Sequence, residues 1–532
     1  MNKSFKSIWN EALGAWVAAS ELDRARGKRV ASSRSASAHA ADACAVACIA
    51  TKPALSPRRL VVMTAAAYLG LFQAGAHAQY SAGGGSATGG ASSTAIGNGS
   101  VASQVNATSY GNLSTAAGQS STAIGPGARA MADGGTAIGI NSQATGFNSA
   151  ALGVQAISSG AFSVAIGNLS NATQSGAVAI GSGATATGVS AVGLGNNALA
   201  SGQYAAALGL GASAVGAQSV SLGYASNATN TGSVALGNQS TSSGAAGVAV
   251  GSGTLASGNS GVAMGVNSGA KGSASIAIGW GGTAGVPGSG TQSLGSNSMA
   301  MGSNTTASAN NAIAFGVNTV GSGVSSIAMG VQSSATQQFG LAFGNLALAT
   351  GVGGTALGAS ATASQTNAFA AGTSSNATGV NAIALGTQAT SAATNAVALG
   401  AASSATDDGS VAIGASSSAG NNTGTPTYRA TAVGAASQAT GQFSSAFGAS
   451  AAATGTAAVA IGDAANASAT NAIAMGSSAA AASGNAVAIG TGATATGGAA
   501  VSIGAGNTAV DAACAKLAAF EQARPENQPD AE

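Results

Sequence analysis

The chain has 532 residues, and 15 Lys+Arg against 13 Asp+Glu leave a net charge of +2 with only 5% of residues charged, against about 25% in an ordinary globular protein. Its 83 glycines follow no three-residue period and its prolines number only 7, which excludes a collagen. An apolar fraction of 45% excludes an ordinary disordered chain, and so few Lys and Arg leave no electrostatic footprint for nucleic acid.

Charge is also confined to the ends. Residues 1–78 hold ten basic and four acidic side chains, and residues 511–532 hold two and five. The 432 residues from 79 to 510 keep three basic (Arg129, Lys271, Arg429) and four acidic (Asp133, Asp407, Asp408, Asp463). Such a stretch needs its own structural explanation.

At the amino terminus, Trp9, Leu13, Trp16 and Val17 recur at helical spacing, so the residues of 1–29 by themselves predict a small amphipathic helix. The segments Met1-Asn2-Lys3, Ile8-Trp9-Asn10, Trp16-Val17-Ala18 and Ser20-Glu21, with Gly14 between them, closely resemble the extended signal peptide region of Gram-negative autotransporters. That resemblance implies a segment that modulates export through the inner membrane and is then removed. Residues 30–78 complete the signal: Arg58-Arg59, an apolar run from Leu60 to Phe72, and Ala76-His77-Ala78. The run is too short to span a bilayer, and cleavage is expected between Ala78 and Gln79. His39, His77, Cys44 and Cys48 go with the removed piece, leaving no histidine and one cysteine, Cys514. Ser-His-Asp and Cys-His catalysis, His-based metal sites and a disulfide framework are thereby excluded. No catalytic residue, metal or cofactor is expected, and the chain does not read as an enzyme.

From residue 91 a phrase of apolar–small–apolar–Gly recurs. Its glycine stands at 97 and every 14 residues to Gly279, resumes at Gly302 and runs to Gly414, then resumes at Gly434 and runs to Gly504, giving 29 units. A coiled coil is excluded, because glycine at this frequency costs a helix about 1 kcal/mol each time. Alternation such as Val164-Ala165-Ile166, closed by Gly167, is a strand signal bounded by a turn. Each unit therefore reads as strand, turn, strand, turn. Stacked at ~4.8 Å the units make a parallel β-solenoid roughly 140 Å long. In each strand the residues one and three before Gly share a face. The apolar pair is expected to fill the narrow interior, with the small residue between them pointing the other way and admitting a second backbone. The candidate core is Val164, Ile166, Gly167, Val178, Ile180, Gly181, Val234, Leu236, Gly237, Val411, Ile413 and Gly414. A coil of two strands has so little interior that an oligomeric rod is expected.

Ser163-Val164-Ala165-Ile166-Gly167, Ser233-Val234-Ala235-Leu236-Gly237 and Ser410-Val411-Ala412-Ile413-Gly414 resemble the head repeat of the YadA-like trimeric autotransporter adhesins. The resemblance covers residues 91–506. It implies a left-handed parallel β-roll in a homotrimeric head, displayed at the outer membrane of a Gram-negative bacterium. The implied partners are extracellular matrix or host-surface proteins of the collagen, fibronectin or laminin type, host cells, or other bacteria. The head is assigned to residues 79–510. After Gly504 the family's stalk and translocator pattern does not follow: Asn507–Glu532 lacks heptads and alternating membrane strands. Residues 511–532 read as a short tail, with one or two helical turns in Cys514–Ala523 and a disordered acidic end. Membrane attachment is then expected only through an anchor not seen in this chain; without one the product is secreted.

Two insertions, near 280–297 and 415–430, interrupt the period and are the candidate receptor-binding elements. Trp280 is the one Trp of residues 79–510, and Tyr428 and Arg429 lie in the second insertion; Trp, Tyr and Arg on loops of a rigid scaffold are the usual binding types. Asp407-Asp408 falls at a turn and reads as solvated turn residues. The alternative to an adhesin is a structural spacer or biofilm-matrix rod with no receptor site of its own.

Overall fold

The computed structural model describes residues 6–10, 15–19, 79–510 apart from 91, 284, 285, 287 and 422–428, and 516–517. It divides into two units, Met1–Ala76 and His77–Glu532. In the first, Lys6–Asn10 pairs antiparallel with Ala15–Ala19, placing Trp9 opposite Trp16 and Ile8 opposite Val17. The helix expected from the spacing of Trp9, Trp16 and Val17 is thus replaced by a hairpin, and the β-branched and aromatic residues on both arms account for it.

The second unit is a parallel β-solenoid. Among its described residues thirty long strands, mostly of three residues, alternate with thirty short strands of two. Long strands stack on long and short on short. Val164, Ala165 and Ile166 stand beside Val178, Ala179 and Ile180, while Asn171 and Ala172 stand beside Thr185 and Ala186. One coil precedes the 29 counted from the glycine phrase, because Tyr80–Ala82 pairs with Thr94–Ile96 although it lacks the phrase. At the other end Lys516–Leu517 pairs with Ser502 and Ile503 as a further strand, where helical turns were expected.

The turns are paired as well as the strands. Leu169 N–H donates to the Val154 carbonyl at 2.9 Å, and Gly176 N–H donates to Ala161 at 2.8 Å. Each coil therefore satisfies its turn amides on its neighbour, as buried backbone requires. Gly167 shows why the phrase ends in glycine. Its φ is +131°, and a Cβ there would stand 2.5 Å from the carbonyl oxygen of Gly181 in the next coil. Both the dihedral and the approach forbid a side chain.

The interior is the reverse of the one expected. Ala165, Ala172 and Ala177 are fully buried, and so is Ser170; Val164 is half-buried and Ile166 is 37% exposed. The same holds for Val178, Ile180, Val234, Leu236, Val411 and Ile413, all half-buried on the outer side of buried alanines. The small residue faces inward because the two sheets lie almost backbone to backbone, and the large pair stands outside. Interior serines bond at the turns: Ser163 Oγ donates to Gly160 at 2.7 Å and Ser170 Oγ to Gly167 at 3.0 Å. Ser158 and Ser163 meet across the roll at 2.6 Å.

Neither insertion breaks a ladder. Ile276–Trp280 pairs with Met299–Ser303, and Ser418–Ala419 pairs with Gln438–Ala439, each in register with the insertion looped out. The first insertion leaves between a long and a short strand, the second between a short and a long one. They therefore emerge from opposite edges of the roll.

Candidate functional site

Two faces and two edges surround the alanine interior. The outer side of the long strands carries two columns of Val, Ile, Leu, Met, Phe or Thr, with Tyr110, Ala150, Ala206, Ala371 and Ser445 as exceptions, and no charged residue stands three or one before any of the 29 turn glycines. These side chains are half-buried or exposed in every described coil. The outer side of the short strands is polar by contrast, with pairs such as Thr185 and Thr187 or Asn171 and Thr173. Turns form the two edges.

At the first edge, the strand Ile276–Trp280, like the next one, Met299–Ser303, has five residues where most long strands have three, and it ends on Trp280, which is 66% exposed. Beyond it the chain is held by Asn304, whose Oδ1 accepts from Gly282 N–H at 2.9 Å and whose own N–H donates to Trp280 O at 3.0 Å. The insertion then folds down over the short-strand side. Gly288 N–H donates to Gly253 at 3.1 Å, and Gly290 N–H donates to Asn267 at 2.7 Å. A Cβ on Gly288 would meet Leu255 Cβ at 2.9 Å, so the loop lies directly on that coil. Asn267 to Ala270 are buried beneath it.

At the opposite edge, Asp407 is buried and its Oδ2 accepts from Asn421 N–H at 3.0 Å, fixing the base of the second insertion. Asp408 points away and accepts from Thr394 N–H at 3.1 Å. The two carboxylates serve separate coils. Arg429 is exposed, its N–H donates to Asp408 O at 3.1 Å, and its Cγ lies over Gly409. Tyr428 falls outside the described residues, as does Ala78; Gln79 is exposed at the start of the solenoid. Trp280 and Arg429 thus lie at opposite edges and form no joint site.

Sequence reasoning passed over a second set of aromatics. Phe162, Tyr204, Phe339 and Phe443 occupy the same left-handed turn position, with φ between 57° and 59°, and all four are exposed. Phe147 meets Phe162 edge to face at 5.5 Å and 84°. The signal was available, since each stands nine residues after a turn glycine. Elsewhere in that column Asn367, Asn381 and Asn395 form an amide ladder at 3.1 and 3.0 Å. Asparagine tolerates the left-handed conformation that the turn imposes.

Among the described residues no three His, Cys, Asp or Glu come together as a metal site. What the geometry defines is a β-solenoid scaffold with one uncharged apolar face, one polar face and loops displayed at both edges. Residues 1–50 match the Extended Signal Peptide of the Type V secretion system, and seventeen stretches between 89 and 479 match the YadA head domain repeat. The chain belongs to the YadA-like trimeric autotransporter adhesins, which are exported and carried at the cell surface. No curated protein matches it.

Proposed function

We propose that this chain is an adhesin head that works as a homotrimer and attaches the bacterium to extracellular matrix proteins of the collagen, fibronectin or laminin type, to host cells, or to other bacteria, without enzymatic activity of its own. The observation that carries the reading is that both ladders run through both insertions without loss of register, so the loops are presented by a rigid frame. The trimer is supported by the uncovered apolar face, whose half-buried Val164, Ile180 and Val234 lack a covering layer within the chain. Contact with the receptor is assigned to the second-turn edge, where Arg429 and Phe443 are exposed, together with Tyr428. Repetition over three chains raises apparent affinity by about 10²–10⁴ without a strong single contact.

The test is retention of the purified full-length protein on immobilised matrix proteins and on whole cells, with its mass followed by ultracentrifugation. Absence of retention on all of them defeats the adhesin reading. The monotony of the polar short-strand face favours one other reading, a spacer or biofilm-matrix rod. Deleting Gly281–Ser289 and Asn421–Pro426, the nine and six residues by which the insertions exceed the fourteen-residue step and which leave Gln292–Ser293 in its ladder, separates the two, because a spacer loses nothing.

A further inference from the structure

Twenty-nine coils that differ this little pose a problem of alignment. The columns on the long-strand face hold similar apolar residues at nearly every level, and rungs recur at about 4.8 Å. Two such faces can slide by one coil and still oppose apolar to apolar. On a uniform face register is weakly specified, and one distinctive residue can select a single alignment.

Trp280 has the properties of that residue. Strand alternation sets Ile276 and Ile278 outward and continues to Trp280 two residues on, at the margin of the apolar face. Its ring is left uncovered, since the insertion that follows lies over Leu255 and Gly269 on the short-strand side instead. Partly exposed Met264 and Val266 flank it one coil before, with Met301 one coil after and Phe315 beyond. Four of the six methionines of residues 79–510 (Met264, Met299, Met301 and Met329) stand on this face within these few coils. Methionine adapts its shape to a bulky neighbour.

We infer that Trp280, with its flanking methionines, sets the axial register between the copies of the chain that meet on the long-strand face. Another copy is the occupant because the two columns carry no charge for a charged ligand to read, and because only another such roll repeats at the same pitch along the whole face. In register, the Trp280 rings of neighbouring copies stand at one level and bury each other with the methionines. A slip of one coil moves them about 4.8 Å apart and leaves each ring against smaller side chains and water. Trp280 is then a positioning residue of the assembly rather than a receptor contact. The inference rests on the homotrimer proposed above.

The test uses the full-length protein carrying the photoreactive substitution Phe447→p-benzoylphenylalanine, a conservative exchange on the same face far from Trp280. Each coil has its own sequence, so mass spectrometry of the linked peptides reports which level of the neighbouring copy it touches. The parent protein is expected to link to a single level. Trp280→Ala is expected to keep the trimer mass but to spread links over adjacent levels, a several-fold rise in off-level product. Trp280→Phe and the relocated pair Trp280→Ala/Val266→Trp are expected to restore a single level, which a merely structural role does not predict and which stays informative should the alanine variant fold poorly. Links confined to one level in Trp280→Ala overturn the inference while leaving the trimer standing. A monomeric parent protein overturns the trimer itself.

Discussion

A methyl group placed on Gly193 would stand 3.1 Å from the carbonyl oxygen of Thr185, in the short strand across the roll. The gap admits only small side chains, alanine in most coils and serine at Ser109, Ser221 and Ser502, all buried. Ala165→Leu is therefore expected to destabilise the solenoid by about 3 kcal/mol or more through overpacking, whereas Gly193→Ala, which restores the residue of most other coils, is expected to shift stability by less than about 1 kcal/mol. Denaturant unfolding of both variants decides it; equal stability of Ala165→Leu and the parent would refute the narrow interior.

Gly167 faces a harder constraint, with its φ of +131° and the Gly181 carbonyl 2.5 Å from any Cβ. Gly167→Ala is expected to cost about 3 kcal/mol and to open the roll locally. Limited proteolysis should show new cleavage confined to the neighbouring coils, because solenoid stability is a sum of local terms. Unchanged proteolysis would count against this account of the turn.

Several interior hydroxyls, Ser149 and Ser219 among them, are buried without a hydrogen-bond partner. Ser149→Ala should raise stability by up to about 1 kcal/mol, since it removes an unmet polar group and leaves the methylene in place. A loss of stability comparable to that of a core cavity would show that the hydroxyl is bonded after all.

On the outer face the expected response is different in kind. Ile166→Asn with Ile180→Asn changes two adjacent rungs that lie outside the alanine interior. The β-sheet circular dichroism of the roll should persist while ultracentrifugation shows more monomer, because each exchange removes about 1–2 kcal/mol of apolar burial between copies. Loss of the fold itself would show that the outer pair belongs to the core.

Self-association should also be insensitive to salt. Residues 79–510 hold only seven charged side chains and none on the apolar columns, so raising ionic strength about tenfold has little to screen. A steep salt dependence of the sedimenting mass would place electrostatics at the interface.

Much of the fold was legible in the residues. The fourteen-residue step, the two strands per coil and the sites of both insertions follow from Val164-Ala165-Ile166-Gly167 and its repeats, since strand alternation and turn glycines are local properties. The first coil was missed because Tyr80-Ser81-Ala82 is followed by Gly83 without the apolar residue that marks the phrase elsewhere. The hairpin of Ile8–Asn10 with Ala15–Val17 was missed because short apolar runs fit either period. Of the candidate contacts, Trp280 and Arg429 are exposed, Trp280 at the end of a strand rather than on a loop, while Phe162 and Tyr204 escaped notice as ordinary members of a variable column.

The amino-acid order by itself determined the period, the ladder and the turn positions, because these depend on dihedral preferences and on spacing within fourteen residues. Only the tertiary structure decided which side of each strand lies within the roll. Alternation distinguishes two faces but does not say which one meets the opposing sheet, and that was settled by the gap between Gly193 and Thr185, wide enough for alanine and too narrow for valine or isoleucine.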